Sequence, residues 1–118
     1  MSDSEFTIYH NPRCSKSRNT LALLQENGIE PDVVLYLESA PTASDIHALL
    51  QKLGIAAAGL VRKGEAEYKE AGLSADSSED ALVAAMAAHP KLIERPIVVR
   101  GDRAVLGRPP ENVLDLLG

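Results

Sequence analysis

Two apolar triplets, Ile97-Val98-Val99 and Ala104-Val105-Leu106, flank Gly101-Asp102, a pair suited to the tight turn of a β-hairpin. The other end of the chain has a different grammar. Phe6 to Tyr9 alternates like a short strand, Asn11-Pro12 breaks it, and a helix is expected from near Ser15 to Asn27-Gly28, where glycine suits a left-handed helix end. Val33-Val34-Leu35-Tyr36-Leu37 is a continuous apolar run of the kind that forms a buried strand. After the hairpin, Pro109-Pro110-Glu111 opens a last helix through Val113, Leu114 and Leu117, with proline in its first turn and an acid near the positive dipole end. The order is β-α-β, then β-β-α, which makes the fold class α/β.

Between these ends the periodicity is helical. Thr42 precedes Asp45 by the spacing of a capping box, and Ile46, Leu49, Leu50 and Leu53 line one face before Gly54. From Ile55 to Asp76 the pattern weakens into short helical pieces around Leu60, Val61 and Tyr68. Ser77 stands before Asp80 at the same capping spacing, and Leu82, Val83 and Met86 carry a helix that should end before Pro90. With 118 residues, no repeat and no low-complexity linker, a single domain over 1–118 is expected.

Charge and composition exclude several function classes. Twelve basic against seventeen acidic residues give a net charge of −5, which disfavours a nucleic-acid or anionic-membrane binder. The chain has no Trp and only 3% aromatic residues, so little is available to stack bases on. No apolar run approaches a membrane span, and the opening Met-Ser-Asp-Ser-Glu lacks the basic and apolar regions of a signal peptide, so a cytoplasmic location is expected.

The single cysteine, Cys14, cannot form an intramolecular disulfide, and any partner thiol must come from another molecule. Its surroundings are unlike those of a buried structural thiol. From Phe6 to Gln25 there is no Asp or Glu, and Arg13, Lys16 and Arg18 lie within four residues of the sulfur. At a strand-to-helix junction, unpaired backbone N–H groups and the positive end of the macrodipole favour thiolate over thiol. The same donors favour an oxyanion ligand, so one arrangement serves nucleophile and substrate together. Lys16 reads as part of a solvated face, His10 either tunes the thiolate or ends the strand, and His47 and His89 read as surface or helix-end residues. Three histidines and one cysteine are too scattered to form a spaced metal motif.

Two familiar thiol motifs fail on spacing. A phosphatase loop needs Arg six residues after the cysteine, where this chain has Thr20, and Arg18 falls too early. A dithiol oxidoreductase needs C-x-x-C, where this chain has Ser17.

The segment His10-Asn11-Pro12-Arg13-Cys14-Ser15-Lys16-Ser17-Arg18 resembles the active-site segment of the glutaredoxin-coupled arsenate reductases, the ArsC family, and within it the YfgD-like branch. Further landmarks follow in order along nearly the whole chain: Leu35-Tyr36-Leu37-Glu38, Leu60-Val61-Arg62-Lys63, Glu94-Arg95-Pro96-Ile97-Val98-Val99 and Gly107-Arg108-Pro109-Pro110. The resemblance implies a thioredoxin-like fold, with a mixed sheet and an inserted helical region. It implies that Cys14 attacks arsenate while Arg62, Arg95 and Arg108 surround the oxyanion, roles that suit the forked, permanently charged guanidinium. It implies supporting places for His10, Asn11, Ser15, Ser17, Arg18 and Pro96, with Arg95-Pro96 as the cis-proline corner of the fold. The chain departs from the best-known members at Ser15-Lys16, which replaces a Gly-Thr type pair, and at Gly107, where some members carry a cysteine.

The expected function is therefore a single-cysteine arsenate reductase. It would hold no bound cofactor and no metal, take glutathione as co-substrate, use glutaredoxin as partner, and act as a monomer. Two alternatives stay open: a regulator resembling Spx that binds RNA polymerase, against whose disulfide switch Ser17 counts, and a monothiol reductase for another oxyanion or for glutathionylated proteins.

Overall fold

The computed structural model describes residues 5–74 and 76–117. Residues 1–4, on which the expected lack of a signal peptide largely rests, lie outside the described residues. Contacts gather the chain into two compact units, one running up to Ser39 and resuming at Arg95, the other covering Ala40–Glu94.

The first unit is built on a four-stranded sheet of order β2-β1-β3-β4, formed by β1 (Phe6–Tyr9), β2 (Asp32–Val34), β3 (Ile97–Arg100) and β4 (Arg103–Leu106). β1 runs parallel to β2 and antiparallel to β3, and β3 runs antiparallel to β4, so the sheet is mixed as expected. The β3–β4 hairpin turns at Gly101-Asp102, with positive φ (+62°) at the glycine alone, the pattern of a type II′ turn. Helix α1 (Ser15–Glu26) connects β1 to β2 and closes in a Schellman motif: Gly28, at φ +78°, donates its N–H to Gln25 O at 3.0 Å, and Ile29 N–H donates to Leu24 O at 3.0 Å. Phe6, Ile8, Leu24, Val98, Val113 and Leu116 form the core of this unit.

Two elements differ from the sequence expectation. The apolar run 33–37 is strand only as far as Val34, because Glu38 N–H and Ser39 N–H both turn back to Leu35 O. β2 is an edge strand, which leaves Val33 46% and Leu37 42% exposed while Tyr36 is buried. The final helix is a 3₁₀ helix, Pro110–Leu116. Its three-residue period puts Val113 and Leu116 together in the core and turns Leu114 out to solvent.

The second unit is the expected helical region, with α2 (Ala43–Leu53), α3 (Ala66–Glu70), α4 (Glu79–Ala88) and 3₁₀ turns at Ala57–Gly59 and Pro90–Leu92. Helices α2 and α4 pack together, burying Ile46, Leu49, Leu50, Leu82, Val83 and Met86. The capping box forms as read: Asp45 N–H donates to Thr42 Oγ1 at 3.1 Å, and Thr42 N–H to Asp45 Oδ2 at 3.0 Å. Thr42→Ala is expected to lower unfolding free energy by about 1 kcal/mol, read as a shift of the urea midpoint at unchanged slope. The cap of α4 is Ser78, not Ser77. Ser78 Oγ accepts from Ala81 N–H, while Ser77 Oγ is taken by Ser74 N–H at 2.9 Å in the preceding turn. No helix among the described residues is long and apolar enough to cross a membrane.

Candidate active site

Cys14 is the N-cap residue of α1, in extended conformation (φ −97°, ψ 122°). The helix that follows starts with backbone N–H groups that have no partner inside it. The loop before it is pinned from both sides. Asn11 O accepts from Cys14 N–H at 3.0 Å and Asn11 Oδ1 accepts from Arg13 N–H at 3.1 Å, while Arg18 reaches back from α1 to donate to Pro12 O at 2.9 Å.

Three groups decide the state of the sulfur. Burial pushes the Cys14 thiol up, but the Ser17 N–H, the Arg95 guanidinium and the Lys16 N–H together hold it below the ordinary thiol value. The thiolate is the stronger nucleophile, so the net direction favours reaction. Ser17 and His10 form a buried pair beneath this loop. His10 Nδ1 lies 2.6 Å from Ser17 Oγ, and the same oxygen accepts from Asn11 N–H at 3.0 Å. Burial, and secondarily the charge of Arg18, lower the pKa of His10, so the ring is held neutral. His10 directly follows β1, and its ring reaches the side chain of Ser17, the residue whose N–H faces the sulfur.

Ser17→Ala leaves His10 Nδ1 and Asn11 N–H without their shared partner. It should cost about 1–3 kcal/mol of stability and raise the Cys14 pKa as the loop slackens. Thermal unfolding and thiolate absorbance against pH, measured on one sample, check both.

Of the three arginines implied by the resemblance, Arg95 acts directly on the sulfur. Its bond to Pro96 is cis, as expected at that corner, and the Arg108-Pro109 bond is cis as well. Arg108 is an exposed side chain of the same unit, next to Gly107, whose N–H donates to Pro96 O at 2.9 Å. Arg62 belongs to the second unit, where it pairs with Glu65 at 2.9 Å and Glu94 at 3.8 Å. Ser15 and Lys16 are exposed, and Lys16 contributes to the site through its backbone rather than its ammonium group. His47 stands 4.0 Å from Asp80, and His89 caps the end of α4.

Two features escaped the sequence. Thr20 is fully buried, and its Oγ1 donates to Lys16 O at 2.9 Å and lies 3.0 Å from Gly107 O. The signal was present: Ser17, Thr20 and Leu24 share the inward stripe of α1, and two polar residues on an apolar stripe ask for a reason. The second feature is a cavity of about 280 Å³ lined by His10–Arg13 together with Leu35, Leu37 and Glu38. No local periodicity points to a space between two loops.

The ArsC family model matches residues 9–116. Escherichia coli (strain K12) YfgD is 57% identical over 113 residues, covering 94% of this chain and 95% of that protein. An arsenate reductase of Neisseria meningitidis is 49% identical over 111 residues, covering 92% of this chain and 95% of the relative. The solved arsenate reductase from Vibrio cholerae superposes with a TM-score of 0.90 at 54% identity, covering 93% of this chain and 95% of that one.

Proposed function

The chain belongs to the ArsC family, and from that premise we propose that it reduces arsenate to arsenite, with Cys14 as nucleophile, glutathione as reductant and glutaredoxin as resolving partner, in the cytoplasm. The observation that carries this reading is the sulfur at the start of α1, faced by two backbone N–H groups and Arg95, with its pKa lowered against the effect of burial. Donors that hold a thiolate also hold an arsenate oxygen.

The Cys14 thiolate attacks arsenic and forms a sulfur–arsenic bond, while one arsenate oxygen takes up protons and leaves as water. A glutathione thiolate then attacks the Cys14 sulfur. The sulfur–arsenic pair stays with arsenic, which leaves as arsenite, and a Cys14–glutathione disulfide remains. A glutaredoxin thiolate attacks the glutathione sulfur and returns Cys14 as thiolate. Arsenic has gained the two electrons that the thiols have lost. Arg95 and Arg108 supply forked cationic donors to the anion. With Ser17 in place of a second cysteine, the resolving thiol is external.

The test is NADPH consumption with glutathione, glutathione reductase and glutaredoxin present. Arsenate should start it, and leaving out glutathione should stop it. A folded protein that turns over a glutathione mixed disulfide but not arsenate would overturn the arsenate assignment.

A further inference from the structure

The 280 Å³ cavity beside the cysteine loop has no part in the chemistry above. Its volume falls just under the ~300 Å³ at which small-molecule sites begin, so it suits one headgroup of a ligand rather than a large molecule. Pro12, Leu35 and Leu37 give it apolar walls, and Arg13 and Glu38 give it opposite charges. Neither Arg13 nor Glu38 forms an ion pair among the described residues. Leu37 is 42% exposed there, a leucine offered to solvent at the edge of a cavity. Arg13 is the chain neighbour of Cys14, and Asn11, which also lines the cavity, accepts the Cys14 N–H.

These charges select among ligands. A bare oxyanion gains from Arg13 but is repelled by Glu38, and an apolar group would desolvate both charges without pairing either. An α-amino-acid head carries a carboxylate and an ammonium on one carbon and answers both. We propose that this cavity is the glutathione subsite: the γ-glutamyl carboxylate pairs with Arg13, its ammonium pairs with Glu38, and its methylenes lie on Leu35 and Leu37, so that the thiol is held beside Cys14. The proposal rests on glutathione being the reductant of the reaction above.

Binding is measured apart from turnover by titrating Cys14→Ser protein with S-methylglutathione, which cannot exchange disulfides, and following amide NMR signals. Shifts should centre on Arg13, Leu37 and Glu38. Adding Glu38→Lys should weaken binding by about tenfold or more, and S-methylcysteinylglycine, which lacks the γ-glutamyl group, should bind Cys14→Ser about tenfold more weakly than the tripeptide. Leu37→Asp is a second variant, expected to weaken the tripeptide if Glu38→Lys does not fold. In the coupled assay Glu38→Lys should raise KM for glutathione about tenfold and move KM for arsenate by less than about twofold.

Equal binding of tripeptide and dipeptide, or undiminished binding by folded Glu38→Lys, overturns the subsite. Tripeptide binding with the expected pattern in a protein that never reduces arsenate leaves the subsite standing and removes the arsenate assignment. Arsenate turnover with an unmoved KM for glutathione does the reverse.

Discussion

Cys14→Ser should lower arsenate turnover by on the order of 10⁴-fold or more, since it removes the atom that bonds arsenic in the proposed reaction and the sequence holds no second cysteine to replace it. The fold should survive, because Cys14 is only partly buried and caps α1 without a side-chain hydrogen bond. Unchanged thermal unfolding beside lost turnover is therefore the expected pair of results. Residual turnover near the wild-type level would place the nucleophile elsewhere.

Arg95→Ala separates the charge from the nucleophile. With the guanidinium gone, burial acts with less opposition and the Cys14 pKa rises, so the rising limb of the pH–rate profile moves to higher pH. The deficit should be largest in acid and shrink as pH rises toward ordinary thiol ionisation. Arg95→Lys should restore much of the pKa but less of the turnover, because a single ammonium lacks the forked donor pair.

Gly107→Ala should cost about 1–3 kcal/mol and lower Tm by about 5–15 °C. A methyl group there would stand 2.7 Å from both Thr20 Cγ2 and Thr20 Oγ1, and 2.9 Å from Pro96 Cγ. Thr20 cannot swing aside cheaply, because it is fully buried and its hydroxyl is held between Lys16 O and Gly107 O. Pro96 is buried as well, so its ring is equally confined. Thr20→Ala in the same chain should return part of the loss, so the double variant should be more stable than the sum of its parts. A melting temperature unchanged in Gly107→Ala would show that the packing of Thr20, Pro96 and Gly107 is looser than these distances require. Gly107 is thus held in place by its neighbours, and Gly107→Cys should be at least as costly as Gly107→Ala.

Legibility was uneven along the chain. The capping box of Thr42 and Asp45, the glycine end of α1 and the Gly101-Asp102 hairpin were readable because each is decided by residues a few positions apart. The same locality misled at Ser77, whose spacing to Asp80 suits a capping box but whose hydroxyl is claimed by the preceding turn, leaving Ser78 to cap α4. The run 33–37 was misread because periodicity reports that residues are apolar, not that an edge strand has only one neighbour to pair with.

The sequence by itself determined the α/β order and the family and singled out Cys14 as the candidate nucleophile: strand and helix periods, turn residues and an acid-free stretch around one cysteine are all short-range patterns. Only the tertiary structure decided which groups act on that sulfur. Arg95 comes from 81 positions along the chain, and Gly107 meets Thr20 across 87. Distances of that kind are set by the pairing of β1 with β3 and the closing of the sheet, and no local spacing encodes them.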